Sequence, residues 1–203
     1  LSYYGILAPS LRWFADYVGS RYQAVKLMCS DKHQLSDFLL LESGVPQGSI
    51  LGPQLFSVYV ADIGQAVKAS KWHMYADDLQ LYISFSPQEA DSAISKLNED
   101  LEVVSQYTTD NCLKINPEKT QSIVFSKSNA DIIDFNITLN DHNIKLHDEV
   151  KNLGILMDSK LTFNSHVNKV CQQSFFKRKQ LSEYCDLLPT DIKLTLTNTL
   201  VVS

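Results

Sequence analysis

Apolar residues spaced at the period of an α-helix mark the longest regular element of this chain. The stripe is formed by Ala90, Ala93, Ile94, Leu97, Leu101 and Val104. It follows Ser86-Pro87-Gln88-Glu89, a helix-start signature. We predict a helix over residues 88–112 that packs behind a sheet. The residues expected to face water are Asp91, Glu99, Asp100 and Glu102. A second helix is predicted over residues 54–68.

Short apolar runs separated by polar turns predict antiparallel strands. The runs are Tyr22–Met28 with Leu35–Leu41, Trp72–Met74 with Leu79–Phe85, Gln121–Phe125, Ile137–Leu139 with Ile144–Leu146, and Val150–Met157. From Asn164 the pattern becomes helical again. The predicted fold class is therefore α+β, with helices 54–68 and 88–112 on one face of an antiparallel sheet.

Composition and charge narrow the class of protein. The chain has 203 residues, of which 44% are hydrophobic and 20% charged, an ordinary globular balance. No apolar run is long enough to span a membrane, so no membrane partner is expected. Four scattered cysteines indicate reduced thiols in an intracellular protein. A net charge of −5 argues against a free-standing nucleic-acid binder. The basic residues gather late in the chain, at Lys169, Lys177, Arg178 and Lys179.

Two adjacent carboxylates, Asp77 and Asp78, stand between two strand-like arms. Aspartate is disfavoured inside strands and common in turns, so we predict a tight hairpin with both residues at its tip. Carboxylates so close repel each other unless a cation lies between them. Mg²⁺ suits such a place because it takes oxygen ligands and shares them with phosphates. A solvated turn with no ligand is the alternative.

The segment Gly44–Pro53 contains three glycines and two prolines. Glycine permits close backbone approach to a ligand, and a helix N-terminus after such a loop favours phosphates. The loop could instead be a connector only.

Four motifs resemble those of reverse transcriptases, in the same order and spacing. They are Gly44–Pro53, Tyr75-Ala76-Asp77-Asp78, Leu113–Thr120 and Asn152–Ile155. The wording is most similar to the non-LTR (LINE-type, jockey-like) retrotransposon enzymes. Arg21 and Gln23 also resemble a hairpin that precedes the glycine loop in that family, although a surface hairpin with no role is the alternative. The resemblance implies fingers and palm-linking elements over 1–43, a polymerase palm over 44–163 and the start of a helical thumb over 164–203.

The resemblance also implies roles for individual residues. Asp77 would be the principal metal ligand and Asp78 its neighbour, on a hairpin that includes Tyr75 and Ala76. Lys119 would protonate the leaving pyrophosphate. In the loop that begins at Gly44, the residues implied in contacting the incoming nucleotide and the template are Gln47 and Gly48, with Pro46 and Ser49 shaping the backbone.

The remaining implied contacts concern the primer strand and the duplex. Leu153 and Gly154 resemble the primer-grip hairpin, where a small residue lets the primer backbone come close; a β-bulge at Gly154 is the alternative. Lys177, Arg178 and Lys179 resemble the basic face of the thumb that follows the duplex.

The implied activity is RNA-directed DNA synthesis with two Mg²⁺ ions, an RNA template, a DNA primer and deoxynucleoside triphosphates. The family's further Asp-bearing strand motif has no counterpart in residues 1–43. We therefore expect the chain to be a piece of a longer protein and to be inactive, or nearly so, alone. The parent is expected to carry an endonuclease domain upstream and to act in the nucleus or cytoplasm. A catalytically dead remnant that binds nucleic acid or a partner, and an intron-maturase-type relative, remain alternatives.

Overall fold

The structure, a computed structural model, describes residues 1–29, 32–46, 48–126, 135–184 and 187–202. The chain forms two compact units, Leu1–Ser84 and Phe85–Ser203, which are described in turn. Both contain helices and antiparallel two-stranded ladders, in agreement with the predicted α+β class. Among the described residues, every ladder has only two strands, so the single larger sheet that we predicted is not formed.

The first unit begins with a 3₁₀ turn, Ser2–Tyr4, that ends at Gly5, whose φ is +81°. Helix α1, Ala8–Val18, follows. Pro9 lies in its first turn, where the missing N–H leaves no helical hydrogen bond unmade. No residue of α1 is buried.

The next strands form one interrupted hairpin. Strand β1, Arg21–Gln23, pairs with β4, Leu39–Leu41, and β2, Lys26–Cys29, pairs with β3, Lys32–Leu35. The ladder breaks where the Val25 N–H donates to Ser36 Oγ at 2.8 Å. The first predicted strand, Tyr22–Met28, is therefore present but divided between β1 and β2. The second, predicted as Leu35–Leu41, begins earlier, at Lys32, and is interrupted between Leu35 and Leu39.

The predicted helix 54–68 is wrong in its continuity. The structure has α2, Gly52–Tyr59, and a separate short helix α3, Ile63–Ala66. Between them the Ile63 N–H donates to the Val60 carbonyl at 3.2 Å, a tighter turn that replaces the α-helical pattern. Val60 and Ile63 are buried on either side of this break.

Strand β5, Lys71–Tyr75, and β6, Asp78–Tyr82, close the first unit as a hairpin. The predicted arms were displaced: the second arm ends at Tyr82 instead of Phe85, and Asp78 belongs to it. The reason is the register, in which Tyr75 pairs with Asp78 and leaves only two residues for the turn.

The second unit is built on α4, Ala90–Asp110, which follows a 3₁₀ turn at Pro87–Glu89. Strands β7, Ile137–Leu139, and β8, His142–Ile144, form a hairpin beside it. The buried core cluster consists of Ala90, Ile94, Phe135, Ile137, Leu139 and Ile144. Leu97 and Leu101 pack against this cluster, so the predicted apolar stripe does face the core.

Asp100 was predicted to face water, and this is wrong, since only 3% of the residue is exposed. It comes seven residues after Ala93 and four before Val104, both buried, and these spacings return to one helix face. Asp100 therefore lies on a buried face of α4 although the residue carries a charge.

Three predicted strands of this unit differ in the structure. The strand predicted at Ile144–Leu146 is β8, His142–Ile144, because the turn before it contains only two residues. The segment 121–125 forms only an isolated parallel bridge between Ser122 and Leu146. The predicted strand Val150–Met157 is instead a hairpin of β9, Glu149–Asn152, and β10, Ile155–Asp158. A turn divides it because Leu153 and Gly154 both have positive φ, which reverses the chain.

Helices complete the second unit. They are α5, Asn164–Glu183, and α6, Thr190–Thr197, followed by a π-helical turn, Asn198–Val202. The predicted change to helix at Asn164 is therefore confirmed. Within the described ranges, no helix has both the length and the apolar character that crossing a membrane would require.

Candidate active site

The two adjacent carboxylates lie at the tip of the β5–β6 hairpin. Ala76 and Asp77 form the two-residue turn, and Asp78 is the first residue of β6. The side chains of Asp77 and Asp78 are both exposed. The predicted tight hairpin is therefore present, and it leaves both carboxylates accessible to a ligand.

The turn itself has an unusual backbone. Ala76 has a φ of +52°, a conformation that costs a non-glycine residue about 1–2 kcal/mol. The five residue pairs of the β5–β6 ladder hold the turn in this conformation. Backbone strain of this kind is found preferentially at functional sites.

A contact between a glycine and a tryptophan fixes the hairpin against α3. A Cβ atom added at Gly64 would lie 1.9 Å from Trp72 Cε2, so the indole ring lies directly on the backbone of the helix. Trp72 belongs to β5, two positions before Met74 and five before Asp77. Sequence reasoning missed Gly64, and its only signal is a glycine inside a predicted helix.

The glycine-proline loop is ordered by its own hydrogen bonds. Ser49 Oγ donates to the Pro46 carbonyl at 2.7 Å and accepts from the Gly52 N–H at 3.1 Å. Gly44 and Gly48 have φ of +83° and +80°, which side chains with a Cβ rarely adopt. The loop is followed directly by α2, which begins at Gly52. Gln47, predicted to contact nucleotide and template, lies outside the described residues.

Arg21 connects this loop to the hairpin before it. Its guanidinium donates to the Gly44 carbonyl and, through Nε, to the Val18 carbonyl at 3.2 Å. An open cleft of about 630 Å³ lies here. Its lining consists of Arg21, Tyr22, Gln23, Leu41, Ser43, Val45 and Pro46. Arg21 therefore has a defined position beside the loop. The only sequence signal for such a role was its place in an Arg-x-Gln pattern.

Lys119 lies in the second unit, on the turn predicted for it. Its backbone N–H donates to the Asn116 carbonyl at 3.2 Å, and its side chain is exposed. Asn116 Oδ1 accepts from the Glu118 N–H at 3.0 Å, which fixes the turn. The residue is therefore presented to solvent on an ordered loop.

Leu153 and Gly154 form the turn of the β9–β10 hairpin. Their φ angles are +46° and +92°, and no atom lies within 4 Å of a Cβ added at Gly154. The predicted hairpin is present, and the alternative of a bulge is excluded because Asn152 and Ile155 pair directly. The backbone at Gly154 is open to a ligand.

Sequence reasoning also missed Asp158, which begins the connection from β10 to α5. Its carboxylate accepts hydrogen bonds from the backbone of Lys160, Thr162 and Phe163, and from the Thr162 hydroxyl. These bonds, led by that from the Thr162 N–H, lower the pKa of the Asp158 carboxyl. The available signal was an aspartate at a strand end shortly before a threonine, a pattern typical of side-chain–backbone turns.

The basic residues predicted on the thumb lie on α5. Arg178 and Lys179 are exposed, Lys177 is half-buried, and the Arg178 guanidinium lies 5.4 Å from the centre of the Phe175 ring. None of the residues of α5 is buried. This helix therefore presents a mixed basic and aromatic surface.

The predicted metal ligands are the two carboxylates of the β5–β6 hairpin. Across the described part of the chain, no group of three or more His, Cys, Asp or Glu side chains could hold a metal ion. Mg²⁺ often takes only one or two protein carboxylates and completes its shell with water and substrate phosphates. Asp77 and Asp78 fit that donor set, since both are exposed carboxylates at neighbouring positions of one hairpin tip.

Comparisons with known proteins agree with this chemistry. A family model described as reverse transcriptase (RNA-dependent DNA polymerase) matches residues 7–157. Over 191 residues the chain is 29% identical to the probable RNA-directed DNA polymerase from transposon BS of Drosophila melanogaster, covering 88% of this chain and 19% of that protein. It is 31% identical to the RNA-directed DNA polymerase from mobile element jockey of the same species, over 77% of this chain and 17% of the relative.

The jockey enzyme of Drosophila funebris is 32% identical over 80% of this chain and 18% of its own length. The chain thus spans less than a fifth of these relatives. No solved structure matches it. Because the family model covers most of the chain, the chain belongs to the reverse transcriptase (RNA-dependent DNA polymerase) family, in the non-LTR retrotransposon group that its motifs predicted.

Proposed function

We propose that this chain supplies the catalytic hairpin of an RNA-directed DNA polymerase that extends a DNA primer along an RNA template. The observation that carries the proposal is the pair of exposed carboxylates, Asp77 in the two-residue turn and Asp78 beside it at the start of β6. The relatives from jockey and BS are named as RNA-directed DNA polymerases, which supports the same activity for the protein to which this chain belongs.

The reaction is nucleotidyl transfer from a deoxynucleoside triphosphate to the primer 3′-hydroxyl. Two bound Mg²⁺ ions would stabilise the attacking and leaving oxygens. Asp77 is the principal ligand in this proposal and Asp78 its neighbour. Lys119 would donate a proton to the leaving pyrophosphate, a role that suits an amine near phosphates.

Nucleic-acid contacts are proposed on both units. On the first unit, the loop from Gly44 to Ser49 would contact the incoming nucleotide and the template through Gln47 and Gly48. On the second, the turn Leu153–Gly154 would meet the primer backbone. Lys177, Arg178 and Lys179 would follow the phosphates of the duplex, which a basic helix face attracts.

We also propose that the isolated chain is inactive or nearly so. Two metal ions need carboxylates from more than one element, and the described residues provide no third ligand beside the pair. The chain spans less than a fifth of the jockey and BS relatives, so the remaining ligands would come from other parts of the parent protein. An endonuclease domain upstream in that protein belongs to the same proposal.

The compartment proposed for the parent protein is the nucleus or cytoplasm. Free, exposed thiols at Cys112 and Cys171 support a reducing compartment of this kind.

Metal binding tests the proposal directly. Mn²⁺ titrated into the purified chain and followed by electron paramagnetic resonance should bind weakly with a nucleoside triphosphate present. Asp77→Asn should abolish this binding. Asp37→Asn removes the same charge from another exposed aspartate of the first unit and should leave it unchanged. Equal binding by all three proteins would overturn the assignment of the hairpin.

A primer-extension assay tests the expected inactivity. The chain, an RNA template with an annealed DNA primer, deoxynucleoside triphosphates and Mg²⁺ should give no extension above the level of Asp77→Ala. Robust extension that depends on Asp77 would show that the ligand set is complete within this chain.

The alternative function is that of a catalytically dead remnant that binds nucleic acid or a partner. Among the described residues, no third carboxylate lies close enough to the Asp77–Asp78 pair to complete a metal site, and this favours the alternative. Duplex binding without any metal dependence on Asp77 would support this alternative. The mobile-element relatives argue for a retrotransposon enzyme over an intron maturase.

A further inference from the structure

One carboxylate organises the entire connection between the β9–β10 hairpin and α5. Asp158 Oδ1 accepts from the N–H groups of Lys160 and Thr162, each at 3.1 Å. Asp158 Oδ2 accepts from the Phe163 N–H at 2.7 Å and from the Thr162 hydroxyl at 3.1 Å. Both oxygens are therefore fully engaged by the five residues that precede the helix.

These bonds hold a backbone that would not otherwise take this path. Leu161 and Phe163 have φ of +54° and +58°, and each such residue costs about 1–2 kcal/mol. Phe163 directly precedes the first residue of α5. The conformation at Phe163 sets the direction in which the helix leaves the hairpin, and the Asp158 carboxylate holds its N–H.

A second bond joins the two elements from the helix side. The Leu156 N–H on β10 donates to His166 Nδ1 in the first turn of α5, at 3.4 Å. The start of α5 thus lies beside Leu156 of β10, which is two residues after Gly154. The hairpin and the helix are fastened at both ends of their connection.

We propose that Asp158 is a positioning residue that makes the β9–β10 turn and the basic group of α5 one rigid unit for binding a primer–template duplex. The inference rests on the proposed function, because it assumes that Gly154 and the group Lys177, Arg178 and Lys179 meet the same duplex.

The geometry gives this unit a length. Arg178 is 14 residues beyond Asn164, or about 20 Å along the helix. At roughly 3.4 Å per base pair, that distance corresponds to about six pairs of a duplex lying along α5. Two rigidly linked contacts bind together more strongly than two that move independently, because the second contact needs no further ordering.

The substitution Asp158→Asn tests whether the Asp158 carboxylate holds the β9–β10 hairpin and α5 in a fixed arrangement. Asparagine has one acceptor oxygen, so it loses two of the four bonds and places an N–H₂ group against donors. Asp148→Asn is the matched control, since Asp148 is exposed, carries the same charge and lies at the foot of the same hairpin. Thr162→Val is a milder second variant that keeps the test open should Asp158→Asn not fold. It removes the hydroxyl bond to Asp158 and the long bond, 3.5 Å, that the hydroxyl accepts from the Asn164 N–H.

The first readout needs no nucleic acid. Spin labels at Lys151 and Gln173, both exposed, in a chain with its native cysteines replaced by serine, report the hairpin-to-helix distance. We expect one narrow distance distribution for the parent and Asp148→Asn, and a broad one for Asp158→Asn, with unchanged helical circular dichroism. A narrow distribution in Asp158→Asn and Thr162→Val would overturn the proposal, since it would leave Asp158 a merely stabilising residue.

The second readout is the affinity for an RNA–DNA primer duplex, measured by fluorescence anisotropy. Asp158→Asn should weaken binding about tenfold, within the usual range of coupling between sites. Removing one member of the basic group by Arg178→Ala should then reduce the affinity less in Asp158→Asn than in the parent chain. Equal costs would refute the coupling. If the parent itself binds no duplex, the proposed function of this surface fails, whereas the distance measurement still decides the mechanical role of Asp158.

Discussion

The contact between Gly64 and Trp72 gives a prediction about the catalytic hairpin. Substituting Gly64→Ala adds one methyl group at a buried position of α3. That atom would lie 1.9 Å from Trp72 Cε2 and 2.0 Å from Cζ2. Carbon atoms in ordinary contact are about 3.5–4.0 Å apart, so the ring has to move by about 2 Å. Because Trp72 is part of β5, the movement displaces the strand that leads to Asp77.

The magnitude follows from two opposing effects. Trp72 is 42% exposed, so the ring can escape towards solvent instead of compressing the core. Exposing a further ~100 Å² of indole would cost about 2.5 kcal/mol at roughly 25 cal/mol per Å². Alanine favours a helix over glycine by about 1 kcal/mol. The net loss in the free energy of unfolding of the first unit is therefore about 1–2 kcal/mol.

Urea denaturation followed by far-UV circular dichroism measures this loss in every variant. In the variants that keep Trp72, Trp13→Phe removes the other tryptophan, so that the fluorescence emission reports Trp72 alone. The matched control is Gly64→Ala in a chain that also carries Trp72→Leu, where the added methyl group meets no ring. There the substitution should be neutral or stabilising by up to about 1 kcal/mol. The displaced hairpin should also weaken Mn²⁺ binding in the parent background.

Comparing Gly64→Ala in the two backgrounds, with and without the Trp72 ring, separates a clash with the ring from an effect on the helix backbone. If Gly64→Ala costs the same with and without the indole ring, the glycine is needed for the helix backbone and not for the approach of Trp72. If it costs nothing in either background, the close approach of ring and backbone is not a constraint on this fold.

Three further predictions concern single positions. Ala76→Gly should stabilise the first unit by about 0.5–1 kcal/mol in urea denaturation, because it relieves a φ of +52°; a loss of stability would contradict that strain. Gly154→Ala should destabilise the second unit by about 1 kcal/mol in thermal unfolding, from its φ of +92° alone, since its Cβ meets nothing. Hydrogen bonds from the Ser86 hydroxyl and N–H lower the pKa of the Glu89 carboxyl. The ionised carboxylate therefore stabilises the fold fully above the ordinary pKa of 4.5, and this stabilisation is lost as the pH falls through the lowered pKa. Glu89→Gln should therefore reduce stability at neutral pH, and the difference should shrink on acidification; a constant difference would count against it.

Features set by a few neighbouring residues were predictable from the sequence. The Ser86–Glu89 capping box and the hairpin around Asp77 follow from local capping and turn chemistry. The start of α5 near Asn164 follows from the change to a helical pattern of apolar residues. The loop from Gly44 to Pro53 was equally visible, because glycine and proline restrict the backbone wherever they occur. The motifs in these segments also gave the family.

Features that depend on distant contacts were not predictable. The break in helix 54–68 and the approach of Trp72 to Gly64 require two elements to meet, and the buried Asp100 requires a partner surface opposite its helix face. The positioning role of Asp158 depends on both its oxygens facing backbone N–H groups of the following turn.

The sequence by itself thus determined where the Asp77 hairpin turns, about where the main helices begin and which carboxylates stand together, because propensity and capping act over a few residues. Only the tertiary structure decided that the hairpins do not join into one larger sheet, where the predicted helix is interrupted and which charged residue is buried. Those outcomes depend on surfaces that come together when the chain folds, and the order of residues does not show which surfaces will meet.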